Sequence, residues 1–379
     1  MQNSNRKLVA SLVFYLTINM LFVVKYSARI SIKLSVVAAI TYTAAIVVAL
    51  FIIHCTNIKK KSTLLPLIIS YIILLVIGQS LIDPYQLKVD RWSAIHNFIY
   101  NLFHGIYPYA AQTHLGGYGS PFPIWQFFHI PFYLIGNVGF SLFFSLGLFY
   151  ASIWKHFTTR QLYCISVLIL LSPALLYECM VRSDLITNFL IVTSVVNYLY
   201  FNSVDVKKHW KNIAFIIGLF LSTRLATAIP FFIYVFPFYR KFSTRQKMLF
   251  PIYISCTFII TFIPFIFWDG EMLFFFQYNP FILQTRQGSI AIISLLIPLI
   301  IYLALSWQGN YKLLMYHVSL AMIVLVVLTF LYNMYSTDTW NELFQSRYDI
   351  TYFNMSLPSL LTFISYSCSG KKLASSPQG

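Results

Sequence analysis

Two arginines in this sequence stand where a phosphate group could be bound. Arg224 lies inside the apolar stretch "FIIGLFLSTRLATAIPFF", and Arg286 comes just before an apolar run that starts near Ser289. If such a stretch crosses a membrane, its charge is costly, so Arg224 is a functional candidate, and a guanidinium group fits phosphate oxygens well. Structural alternatives remain open, because Arg224 could reach the interface from one long tilted helix or pair with an acid, and Arg286 could simply flank a span.

Two acidic residues open the longest polar interval of the chain, residues 83–136. Asp83 stands at the end of an apolar run, and we expect it mainly to help terminate that helix while remaining a candidate for the site. Asp90 begins the segment "DRWSAIHNFIYNLFHG", and its plainest alternative role is a surface ion pair with Arg91 or Lys88. A carboxylate without such an ion pair could instead take part in a reaction.

Two further polar intervals carry charged candidates. Asp184 lies in "ECMVRSDLI", where it could orient an acceptor substrate, act as a second acid, or form a surface network with Arg182. Arg347 precedes the last apolar run in the way that Arg286 precedes an earlier one. The residues expected beside the site, in contact with an acceptor or with the primary groups, are Asp83, Arg91, His96, Arg182, Asp184 and Arg347.

The chain that carries these residues is a membrane protein. Of its 379 residues 59% are hydrophobic and only 9% are charged, whereas soluble domains carry about a quarter charged residues. Apolar runs of about 20 residues, the length that a helix needs to cross a bilayer, recur along the whole sequence. We predict an all-α polytopic fold of about 10–12 transmembrane helices in a single domain, residues 1–379. The predicted spans are 8–25, 34–54, 64–82, 137–154, 162–178, 185–201, 248–267, 289–306, 313–331 and 350–368, with a short hairpin inside 213–239.

Positive charges indicate how the spans are oriented. Lys and Arg cluster in alternate connections, such as "NIKKKS" and "YRKFSTRQK", and the positive-inside rule places these loops, both termini and the tail 369–379 in the cytoplasm. Nine of the ten acidic residues fall in or beside the opposite loops, so the net charge of +16 reflects topology and calls for no nucleic-acid partner. Lys25, Arg29 and Lys33 depart from this pattern and leave the topology of the first two helices undetermined.

Two elements are expected to position the candidate residues. Residues 213–239 are too few for two full spans, so we predict two short helices that meet at Arg224 and line a wet cavity part-way through the bilayer. In the long loop, apolar residues recur at helical spacing from Ile95 to Phe103, which predicts an amphipathic interfacial helix that ends at Gly105. A second apolar piece, "PIWQFFHIPFYLIG", is interrupted by proline and predicts another interfacial segment.

The long loop and the hairpin resemble a known family. The segments "DRW", "YNLFHGIYPY", "YGSPFP" and "IPFYLIG" are similar to the first extracytoplasmic loop of GT-C-fold integral-membrane glycosyltransferases, especially the bacterial branch that uses polyprenyl-phosphate mannose. The segment "IIGLFLSTRLATAIPFFIYVFPFYRK" resembles that branch's pair of short helices, in which lysine commonly occupies the position of Arg224. That branch often carries Gly-Gln or an amide in the next outward loop, where this chain has "ECMVRSDLI", so no role is carried over to that loop.

This resemblance implies an enzyme of cell-envelope glycan biosynthesis in the bacterial inner membrane. It would transfer a mannose-like hexose, with inversion, from a polyprenyl-phosphate sugar donor to a hydroxyl group of a glycolipid or glycan acceptor at the outer face. Asp90 matches the acid that opens the family's loop and is expected to be the general base. Arg224 and Arg286 are expected to steady the departing phosphate, so that no metal or other cofactor would be obligatory. Membrane lipids complete the expected partners.

Other functions fit parts of the same pattern. A polysaccharide polymerase or ligase would use similar lipid carriers, although its outward loops are usually rich in arginine. A secondary transporter or lipid flippase would place ionisable groups on paired interrupted helices, whereas one interruption, at Arg224, is visible. The first outward loop also contains His96, His104, His114 and His129, but their spacings match no metal-ligand motif.

Overall fold

The chain is a bundle of helices. The computed structural model describes residues 2–56, 60–285, 288–338 and 349–368. Arg286, Arg347 and the predicted tail lie outside these ranges. Within the described ranges there is no β-strand, and one isolated antiparallel bridge joins Gln112 to Tyr118. The prediction of an all-helical chain is therefore confirmed.

Most connections between the helices are short, apart from the long loop after the third helix and the interval before the last helix. In chain order the described α-helices are α1 (Gln2–Ser27), α2 (Ile32–Cys55), α3 (Leu64–Leu81), α4 (Arg91–Phe103), α5 (Pro123–Phe128), α6 (Ile130–Leu134), α7 (Ser141–Trp154), α8 (Thr159–Leu170), α9 (Pro173–Met180), α10 (Leu185–Phe201), α11 (Trp210–Leu221), α12 (Ala228–Tyr239), α13 (Thr244–Ile260), α14 (Ile263–Phe274), α15 (Pro280–Thr285), α16 (Ile290–Ser306), α17 (Tyr311–Thr337) and α18 (Leu357–Ser367). Short 3-10 helices lie at Pro84–Gln86, Pro108–Ala110, Val138–Phe140, Leu225–Thr227 and Ile350–Ser356.

Several of these helices have the length and composition of membrane spans. Among the described residues, α1, α2, α3 and α17 are each long and apolar enough to cross a bilayer alone. Three further groups reach that length only together and are bent: α5–α6 with α7 by 109°, α8 with α9 by 58°, and α13 with α14 by 67°. The shorter apolar helices are α10, α11, α12 and α16. These features support an integral membrane protein, while the count of 10–12 spans stays a prediction.

Two spans predicted as continuous are in fact broken. Within 162–178 the chain leaves α8 and restarts at Pro173, and the Ser172 hydroxyl accepts a backbone N–H from the first turn of α9. Within 248–267 it leaves α13 and restarts with Pro264 in the first turn of α14. A proline ring clashes with the carbonyl group four residues earlier and lacks an N–H, so neither helix continues through it. Both breaks were missed because each apolar run is long enough for one continuous span.

The long loop forms a platform that has its own aromatic core. The apolar face of α4 is buried through Ile95, Phe98 and Ile99, which belong to one cluster with aromatic residues of α14. The helix ends at Gly105, whose φ of +68° suits glycine. Both the amphipathic helix and its end are as predicted. Ser93, in the first turn of α4, is also buried, and its hydroxyl donates to the carbonyl oxygen of Asp90 at 2.9 Å.

Helix α11 packs closely against α13 at Gly218, which gives a test of the packing. A Cβ atom on Gly218 would lie 2.6 Å from the Cβ of Thr257 and 2.8 Å from the carbonyl oxygen of Ile254. We expect Gly218→Ala to lower the free energy of unfolding by about 1–3 kcal/mol, seen as a lower Tm of the purified protein in detergent. Gly147→Ala in α7 is the matched control, because a Cβ there meets nothing within 4 Å. Equal melting temperatures for the two variants would contradict this packing.

Candidate functional site

The helix break at Arg224 is stabilised by the long loop after α3 and by α15. Arg224 has extended backbone between α11 and the 3-10 helix that precedes α12, which confirms the predicted meeting of two short helices. The N–H of Ile124 donates to the carbonyl oxygen of Ser222 (3.1 Å), and the side chain of Gln284 accepts the N–H of Leu225 (3.2 Å). Irregular backbone within a membrane is tolerated when protein groups satisfy it in this way. The platform is thereby fixed onto the break.

Arg224 forms a buried ion pair with Asp184. Its Nη2 atom lies 2.5 Å from Oδ2 of Asp184, and the indole N–H of Trp125 donates to the same oxygen at 2.6 Å. Burial raises the pKa of Asp184, but Arg224 and then Arg91 lower it more, so that it falls to about 2. Asp184 is therefore ionised and already paired, and it is poorly suited to accept a proton.

The surface network weighed for Asp184 and Arg182 is not formed. Arg182 donates instead to the carbonyl oxygens of Gln79 and Ile82, at 3.1 and 3.2 Å. These carbonyls belong to the end of α3, where the last groups of a helix lack partners within it. Arg182 therefore binds the end of a helix in this structure, and its expected place beside the site stays a prediction.

A second ion pair joins the long loop after α3 to the segment that precedes α18. Nη2 of Arg91 donates to Oδ2 of Asp349 at 2.8 Å, and the guanidinium lies over the ring of Tyr352, 5.0 Å from its centroid. Asp349 also accepts the N–H of Thr351 at the start of a 3-10 helix. Asp349 and Tyr352 were not among the site residues predicted from the sequence. The position just before the last apolar run, which drew attention to Arg347, could have indicated Asp349 as well.

Asp90 has no guanidinium partner in the described part of the chain. Its Oδ2 atom accepts a hydrogen bond from the Thr113 hydroxyl at 2.8 Å, and that hydroxyl accepts the N–H of Gly117 at 3.0 Å. A Cβ on Gly117 would lie only 3.1 Å from Oδ2, so glycine permits this close approach. The pair with Arg91 or Lys88 is not among the described ion pairs.

The side chains of both ion pairs and of Asp90 line a single cavity. It has a volume of about 190 Å³ and is lined by Asp90, Arg91, Asp184, Arg224 and Asp349. Nη1 of Arg91, Nε of Arg224 and Oδ1 of Asp184 are buried and find no hydrogen-bond partner among the described residues. Leaving buried polar atoms unpaired is costly, so these atoms mark positions where polar groups of a ligand or water would bind.

Other predicted site residues lie elsewhere. Asp83 is exposed and caps a 3-10 helix by accepting the N–H of Tyr85 at 3.0 Å, outside the cavity. His96 lies on another face of α4. Arg286 and Arg347 lie outside the described residues. Within those residues no group of three or more His, Cys, Asp or Glu side chains is arranged to hold a metal ion, and metal independence stays a prediction.

Comparisons of the chain with protein-family models, with curated proteins and with solved structures find no match. The resemblance to GT-C glycosyltransferases therefore rests on the loop and hairpin motifs of the sequence and stays a prediction. The helical architecture and the geometry of the cavity hold independently of it.

Proposed function

We propose that the chain is a GT-C-type glycosyltransferase that moves a hexose from a polyprenyl-phosphate donor to a hydroxyl group at the outer face of a bacterial inner membrane. One observation carries the proposal. Among the described residues, three carboxylates line the cavity: Asp184 and Asp349 are held by arginines, whereas Asp90 accepts a hydrogen bond from a neutral hydroxyl and forms no described ion pair. An acid without a cationic partner, beside buried guanidinium groups, suits a general base next to a phosphate site.

The proposed reaction balances charge within the cavity. The acceptor oxygen forms a bond to the anomeric carbon while the bond from that carbon to the phosphate oxygen breaks on the opposite face, which inverts the configuration. Asp90 takes the hydroxyl proton, and the lipid phosphate leaves with the electron pair and one more negative charge. Because Asp90 loses a charge as the phosphate gains one, the total charge in the cavity is unchanged. Thr113 acts as a positioning residue for Asp90.

The arginines of the cavity would bind the phosphate. Arg224 and Arg91 each keep one buried guanidinium nitrogen without a partner among the described residues, which leaves a donor for a phosphate oxygen. In the described part of the lining, three carboxylates nevertheless face two guanidinium groups. A further cation is expected to favour an anionic donor, and Arg286 and Arg347 remain the predicted sources.

The size of the cavity limits what it would hold. Its 190 Å³ is below the roughly 300–1,000 Å³ of typical small-molecule sites. We therefore expect only the reacting sugar and phosphate to enter, with the prenyl chain remaining in the bilayer.

A transfer assay tests the proposal. Membranes of cells that overproduce the chain should move radiolabel from polyprenyl-phosphate mannose, or from the glucose or galactose equivalent, to a membrane glycolipid or glycan. Membranes without the chain should not, and NMR of the product should show inversion. Failure of transfer with all three donors would contradict the proposal. Movement of labelled donor across sealed vesicles without transfer would favour the flippase alternative.

A further inference from the structure

A second, larger cavity lies further along α4 than the Asp90 and Ala94 positions of the site. It has a volume of about 540 Å³, within the usual range for small-molecule sites. We call it the polar groove, and the side chains that form it are Tyr85, His96, Asn97, Tyr100, Asn101 and Gln112. None of the described residues that line it is an acid, a lysine or an arginine. An uncharged polar surface of this size offers little to a phosphate or a metal ion.

The amides of the groove keep unused hydrogen-bonding capacity. Asn97 donates to the carbonyl oxygen of Gln112 at 2.7 Å, and Asn101 donates to that of Tyr107 at 3.4 Å. The Gln112 amide donates to the hydroxyl of Tyr118 at 3.0 Å. The side-chain oxygens of the three amides accept no hydrogen bond from the described part of the chain. They are therefore free to accept hydrogen bonds from a ligand that carries hydroxyl groups.

The remaining side chains suit the same kind of ligand. Tyr85 and Tyr100 are 61% and 46% exposed and present ring surface beside the amides. Burial lowers the pKa of His96, so its ring is neutral at physiological pH and offers one donor and one acceptor. Sugar rings combine hydroxyl groups at their edges with apolar C–H faces that pack on aromatic rings. This mixture of amides, tyrosines and neutral histidine complements both features.

The polar groove adjoins the catalytic cavity. Helix α4 contributes Asp90 and Ala94 near its start to the cavity, and Asn97 further along to the groove. Gln112 lines the groove, and the tyrosine hydroxyl to which it donates belongs to Tyr118, which lines the cavity. The groove and the cavity therefore share α4 and are connected through the hydrogen bond between Gln112 and Tyr118.

We propose that the polar groove is an acceptor subsite that binds a short chain of neutral sugar residues and directs its terminal hydroxyl group towards Asp90. The assignment as an acceptor subsite rests on the proposed function. The binding of a neutral glycan does not, and it can be measured without any transfer.

A glycan-binding experiment tests the groove directly. The full-length protein, reconstituted in fluorescent nanodiscs, is applied to a printed array of neutral and acidic oligosaccharides. We expect binding to neutral members, weakened roughly tenfold or more by Tyr100→Ala and by Asn101→Ala. Phe103→Ala is the matched control, because Phe103 is 51% exposed on the same helix but lies outside the groove. Phe103→Ala should bind as the wild type does.

The outcomes separate the two proposals. Binding of no neutral glycan, a preference for acidic glycans, or equal binding by the wild type and both groove variants would overturn the groove proposal. In the transfer assay, Tyr100→Ala and Asn101→Ala should raise KM for the acceptor roughly tenfold with little change in kcat. Transfer with an unchanged KM would reject the groove and keep the function. Glycan binding that depends on the groove, in a protein that transfers no sugar, would reject the function and keep the groove.

Discussion

Replacing Asp90 with asparagine should lower kcat for sugar transfer by about 100- to 10,000-fold, the usual contribution of a general base. Asparagine has nearly the same shape and can still accept the Thr113 hydroxyl bond, but its amide cannot take the acceptor proton. The cavity would otherwise be intact, so KM for the donor should change little. The measurement is steady-state transfer of radiolabelled hexose by purified protein whose Tm has been compared with that of the wild type.

The matched control for Asp90 is the neighbouring acid. Asp83→Asn removes a carboxylate from the same loop, at an exposed position outside the cavity. Its transfer rate should stay near that of the wild type. Near-normal turnover of a folded Asp90→Asn protein would remove Asp90 as the base. A similar loss in both variants would show that charge in the loop matters and not the position of Asp90.

Replacing Arg224 with methionine should damage both stability and activity. Asp184 would remain buried without its ionic partner, and breaking a buried pair in this way typically costs about 3–5 kcal/mol. The donor phosphate would also lose a guanidinium group. Thermal unfolding in detergent would show a clearly lower Tm, and transfer should fall below detection.

A double variant separates these two effects. In Arg224→Met with Asp184→Asn the buried charge is gone, while asparagine keeps an oxygen for the indole N–H of Trp125. We expect much of the lost stability to return, because removing both members of a buried pair costs far less than removing one. Transfer should remain absent. A double variant that transfers sugar at the wild-type rate would show that Arg224 serves the fold and not the phosphate.

Local features of the site could be predicted from the sequence. The helix break at Arg224 follows from an apolar stretch that is too short for two spans and too long for one. The interfacial helix follows from the spacing of its apolar residues and from Gly105. In both cases the deciding information lies within about 30 residues, the scale on which helix length and hydrophobic periodicity act.

The partners of the charged groups could not be predicted in the same way. Arg91 and Asp349 are 258 positions apart, and they meet because the segment before α18 packs beside the long loop after α3. Asp184 likewise pairs with Arg224 and not with Arg182, because Arg182 binds the carbonyl oxygens at the end of α3. The breaks at Ser172 and Pro264 could have been predicted locally, because a proline stands in the first turn of the helix that follows each break. The length of each apolar run nevertheless favoured a prediction of one continuous span. Ion pairs between residues that are far apart in the sequence can be identified only when the three-dimensional fold is known.

The most direct measurement is a structure of the protein with a non-transferable polyprenyl-phosphate sugar analogue, determined by electron microscopy with a bound antibody fragment. We predict that phosphate oxygens lie within about 3 Å of the guanidinium of Arg224 or Arg91. The anomeric carbon should face Asp90, with room for a hydroxyl group between them. A headgroup bound outside this cavity, or a sugar separated from Asp90 by packed side chains, would contradict the proposed site.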